Sequence, residues 1–116
     1  MRNKHDIFLE ELSGHLSTLE KHAKEFSAWD ENTKRQYVVA AIYSLRFLFD
    51  KHATSTIRQI LSGNEAIRER FLAIVKRLYL VLNLMYLPHS TGELKDWIED
   101  ILNNLTLYLT SRGWEN

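Results

Sequence analysis

The chain of 116 residues has no cysteine, one proline and four glycines. Without cysteine there is no disulfide, no thiolate zinc site, no Cys-held iron–sulfur cluster and no cysteine nucleophile. No sign of charge dominates: fifteen basic residues face fifteen acidic ones, so nothing drives the whole chain toward nucleic acid. Its strongest apolar run, LYLVLNLMYLP, is eleven residues long and includes Asn83, about half of what a spanning helix needs. No signal-peptide core is visible near the first residues, and the expected location is cytoplasmic. Phosphate-binding glycine loops, dinucleotide fingerprints, nucleophile elbows, kinase signatures and calcium loops are also missing.

What is present is helical periodicity. Phe8, Leu12, Leu16, Leu19, Ala23 and Phe26 fall on one face of a first helix at about 4–26, from Leu12 onward at four-three spacing. Gly14 lies inside it, where a missing side chain would let another helix approach. Trp29 is placed to plug the bundle end, and Asp30 caps a second helix at about 31–51. A short helix at about 55–62 ends at Gly63, expected in the left-handed region. Asn64 then caps a helix at about 65–87, which stops before Pro88. Ser90 and Glu93 form a capping box for a last helix at about 91–110, with a stop at Gly113. Leu94, Ile98, Ile101, Leu105 and Tyr108 give it an apolar stripe, widened by Trp97, Leu102 and Leu109.

Short connections make neighbouring helices reverse. The pattern predicts a single all-α domain over 1–116: a compact antiparallel four-helix bundle, with the short helix between the second and third long ones able to carry a crossover. Residues 53–88 are rich in basic side chains and residues 89–116 in acidic ones, which favours antiparallel docking of the last two long helices or a complementary subunit contact.

Two helices are more apolar than one stripe requires. The second has a core face of Val38, Ala41, Ile42, Leu45, Leu48 and Phe49, and an opposite stripe of Ala40, Tyr43 and Phe47. The 65–87 helix adds Leu80 and Leu87 near its nominal solvent face, with Leu72, Tyr79 and Tyr86 along a flank. Large aromatic groups with polar edges anchor protein interfaces. Tyr43, Phe47, Tyr79, Leu80 and Tyr86 are therefore the candidate interface residues, for the chain itself or another protein, through helices 31–51 and 65–87. Leu80→Lys should disperse a dimer if that face is the right one. A pocket for a small hydrophobic ligand is an alternative use of the same surplus.

Chemical sites are sparse. His15 and His22 stand two turns apart, roughly 10 Å, too far to share one ion unaided. Asp96, Glu99 and Asp100 read as the polar side of the last helix; with no Glu-x-x-His pairs, a di-iron bundle is excluded. No metal or cofactor is expected. Arg68, Arg70, Lys76 and Arg77 could form a modest basic surface for nucleic acid, tempered by Glu65 and Glu69.

The segment RFLFDKH, from Arg46 to His52, resembles the Arg-to-His motif of the higher-eukaryote-and-prokaryote nucleotide-binding family. The resemblance covers seven residues, and Phe47 departs from the polar residue usual after the arginine. It implies a helical, commonly dimeric protein in which Arg46 and His52 act together at a dimer cleft on RNA. An arginine can hold a phosphate and a histidine can shuttle a proton. The bland reading pairs Arg46 with a carboxylate and leaves His52 at a helix end. The sequence thus favours a non-enzymatic adaptor, immunity-type or assembly protein over a small RNA-binding protein or metal-independent ribonuclease.

Overall fold

The computed structural model describes residues 3–51, 54–85 and 92–110. They form five helices: α1 (Lys4–Phe26), α2 (Glu31–Lys51), α3 (Thr54–Ser62), α4 (Glu65–Leu84) and α5 (Gly92–Thr110). This is the expected all-α bundle of four long helices and one short one. Tyr86, Leu87, Pro88 and Ser90 lie outside the described residues, as do His52, Gly113 and the side chains of Leu94 and Leu109.

The caps explain where the helices begin. Asp30 Oδ1 accepts from the Thr33 backbone N–H at 2.7 Å, and Asn64 Oδ1 from the Ala66 N–H at 2.7 Å. Each satisfies a donor that a helix start leaves open. The Thr33 N–H bond also lowers the Asp30 pKa below the usual carboxylate range. Asn3, unmarked by the periodicity, does the same for α1 by accepting from the Asp6 N–H at 2.9 Å.

Three local expectations are corrected. Gly63 does end α3, but its backbone is not left-handed; an added Cβ would stand 2.8 Å from the Gln59 carbonyl oxygen, and that crowding is what favours glycine. Gly14 brings no helix close: a Cβ there would meet nothing within 4 Å. Finally, α4 stops at Leu84 rather than Leu87. The Met85 N–H is shared between the carbonyls of Val81 (3.2 Å) and Leu82 (3.1 Å), a tightening that closes the last turn.

The packing order follows from which helices touch. α1 packs on α2, α3 and α4; α4 packs on α1, α3 and α5; α2 packs on α1 and α5. The four long helices therefore form a ring in the order α1, α2, α5, α4, with α2 and α4 on a diagonal. Chain neighbours run antiparallel. Phe8, early in α1, meets Phe49, late in α2, with ring centroids 5.9 Å apart; Phe71, early in α4, meets Tyr108, late in α5, at 5.8 Å. α1 and α4, also neighbours in the ring, run parallel, because Phe8 meets Phe71 at 6.1 Å while Glu20 pairs with Arg77 further along both helices; the chain therefore crosses the ring between α2 and α4. The short α3 carries that crossover.

The core is continuous. Phe8, Leu12 and Leu16 of α1, Ile42 and Leu45 of α2, Phe71 and Leu78 of α4, and Ile98 and Leu105 of α5 are buried together. Each such side chain contributes about 1.5–3 kcal/mol on leaving water. α3 adds Ile57, Ile60 and Leu61, and the His5–Gln59 hydrogen bond (3.1 Å) ties it to the start of α1. Trp29 packs on Phe26 and Tyr37 with centroids 5.7 and 5.2 Å away, the plug foreseen for the loop after α1.

Candidate functional site

The periodicity of α2 resolves into two seams. Val38, Ile42, Leu45 and Leu48 turn inward and are buried. On the other side, Phe47 is 71% exposed and Tyr43, one turn earlier, 55% exposed. These two interface candidates stand where the sequence placed them. Tyr43 is braced rather than loose: its ring lies against Trp97 of α5 with centroids 4.8 Å apart, and the Arg46 guanidinium sits 4.7 Å from the same indole. Tyrosine, tryptophan and arginine thus form one contiguous group, with Tyr43 edge-to-face on Trp97, beside the Phe47 knob.

Grooves flank this face. Between α1 and α2 a hollow of about 500 Å³ is floored by Leu19, Ala41 and Leu45 and bordered by Gly14, His15 and Ala40. It continues toward Tyr43, Ser44 and Phe47 as a second hollow of about 490 Å³. Gly14 thus keeps a groove open rather than admitting a helix. His15 lines this groove. His22 instead lies at the core edge, where its Nδ1 and the Tyr37 hydroxyl are joined at 2.8 Å. Burial raises the Tyr37 pKa.

Between α2 and α5 lies a smaller, more polar hollow of about 260 Å³, with Arg46, Asp50, Asp100, Asn104 and Tyr108 on its walls. Burial raises the Tyr108 pKa. Asp50 and Asp100 share this hollow with Arg46 and would repel a phosphate brought to it. His52, the other half of the suggested Arg–His pair, is outside the described residues. Among the described residues, no three His, Asp or Glu side chains gather in a way that could hold a metal ion.

The α4 candidates divide. Leu80 is 57% exposed, and Leu84, one turn on and missed by the sequence reading, is 71% exposed. Tyr79 packs against the core and is only half available; Tyr86 is outside the described residues. Because α2 and α4 are diagonal, the Tyr43–Phe47 and Leu80–Leu84 surfaces belong to opposite sides of the ring. They cannot form the single two-helix face that the sequence suggested.

The basic residues do not converge either. At about 100° per residue, Arg70 and Arg77 share one side of α4, while Arg68 and Lys76 point elsewhere. Arg77 forms a two-pronged pair with Glu20 of α1, its Nε donating to Oε2 at 3.2 Å. The ion pair ties α4 to α1, while α4 also packs on α5 as the charge pattern favoured.

Among the described residues no helix is long and apolar enough to cross a membrane. Where α2, α4 and α5 meet in the core, the void is about 10 Å³, far below a ligand's size. The chain is a small all-helical domain that exposes hydrophobic and aromatic side chains on its helices. No family model, curated protein or solved structure matches it.

Proposed function

We propose that this domain is a non-enzymatic interaction module, of the adaptor, immunity or assembly kind, working in the cytoplasm through the outward face of α2. The observation that carries the reading is the pair Tyr43 and Phe47, held one turn apart in water beside a groove. An exposed aromatic knob with Tyr, Trp and Arg around it has the composition of an interface hot spot. Exposed apolar side chains in such a group gain most when a partner removes them from water.

The test is to purify tagged wild-type chain from its own cells beside Phe47→Lys and Leu80→Lys. Complexes should be lost in Phe47→Lys and kept in Leu80→Lys. Retention of every complex by a folded Phe47→Lys chain overturns the assignment of α2. The ribonuclease alternative has no comparable support, since Arg46 is stacked on Trp97 and shares its hollow with two carboxylates.

A further inference from the structure

The exposed side of α2 is itself a regular seam. Gln36, Ala40, Tyr43, Phe47 and Asp50 are all exposed and follow four-three-four-three spacing, the pattern of helices that pack lengthwise. The stripe spans about 21 Å. We propose that a second copy of this chain covers it, with the two α2 helices antiparallel about a twofold axis near Tyr43. The proposal rests on the reading of this face as the interaction surface and names its occupant.

Shape and charge along the stripe select this arrangement. Its large knob, Phe47, and its smallest position, Ala40, lie about equally far from Tyr43 on opposite sides. In an antiparallel pair Phe47 of each copy sits over Ala40 of the other, at the border of the groove beside Gly14. A parallel pair would set Phe47 against Phe47 and leave a gap between the two alanines.

The charges agree. Asp50 is the only acidic residue of the stripe, and the exposed Arg35 adjoins its opposite end at Gln36. Parallel helices would bring two Asp50 carboxylates together. Antiparallel helices put Asp50 beside the Gln36 amide, which can donate to it, and near Arg35 of the partner helix. Twofold symmetry makes every contact twice. The Tyr43–Trp97–Arg46 groups of both copies then meet close to the axis.

The test measures the dissociation constant of the intact chain by sedimentation. Two Phe47 side chains are buried per dimer, so Phe47→Ala should weaken it by at least about a hundredfold. Gln36→Lys should tighten the dimer and Gln36→Glu loosen it, each about fivefold. In an Asp50→Lys background the order of the two Gln36 variants should invert. Absence of that inversion overturns the antiparallel pairing. A wild-type chain still monomeric at about 1 mM overturns the homodimer. If that monomer nevertheless loses a different protein partner on Phe47→Lys, the interaction face stands and only its occupant was wrong. If Phe47→Lys affects neither, both readings fall.

Discussion

Helices α2 and α4 both carry more apolar residues than one stripe needs, and the fold disposes of the surplus differently. α4 touches α1, α3 and α5, so Phe71, Ile74, Val75, Leu78, Val81 and Leu82 find neighbours around much of its circumference. Its excess is mainly the requirement of a central position. α2 makes its main contacts with α1 and α5 and meets α4 only inside the core, and hollows lie along the first two contacts. Its second stripe stays in water. Composition alone does not separate the two cases; the number of neighbours does.

That contrast can be broken most forcefully in the core. Phe71→Ala should cost about 3–5 kcal/mol of unfolding free energy, read by denaturant titration, because it opens a cavity among three helices. Phe47→Ala, measured at concentrations too low for assembly, should change stability by no more than about 0.5 kcal/mol. A large loss there would mean that α2's outer face serves folding rather than association. Asn64→Ala removes the cap of α4 and should cost about 1 kcal/mol. The exposed Arg77–Glu20 pair should matter least: Arg77→Ala is expected to cost less than about 1 kcal/mol, and less still in high salt.

Acid should sharpen the comparison at the start of α2. The Asp30 pKa is lowered by its bond from Thr33. The stabilisation from this depressed carboxylate is present above the unfolded value, about 3.9, and is lost as pH falls through the folded one. Helix loss followed by NMR should therefore begin at the first turn of α2 before α4, whose cap is the uncharged Asn64. Equal response at both starts would show that Asp30 has no special part.

Much of the fold was legible because each helix announces itself by period and cap. The stripe of α1 needed only its spacing, and Asp30 and Asn64 only their side-chain oxygens next to an apolar run. Neighbour order was not legible, because period reveals which face is apolar without saying what lies opposite. For that reason Tyr79 looked like an interface residue and is instead packed on the core. It is also why the pairing of Arg77 with Glu20 of α1 could not be seen from the charge pattern. Gly63 shows a subtler limit: the stop was visible, but its cause is an approach to the Gln59 carbonyl that sequence cannot display. At the candidate site, Tyr43 and Phe47 were found by spacing alone. Their brace, Arg46 on Trp97, joins helices far apart in the chain and had no local signal.

The diagonal of α2 and α4 also sets the valence of the domain. A pair of chains joined through α2 would turn its two Leu80–Leu84 patches away from each other, on the far sides of the assembly. Two weak contacts made at those patches to one target would reinforce one another only if the target's sites were spaced to match. The same geometry would let two separate molecules be bridged without competing for one surface. The crossover through α3 puts α4 opposite α2, and so leaves the two exposed apolar patches of one small chain facing away from each other.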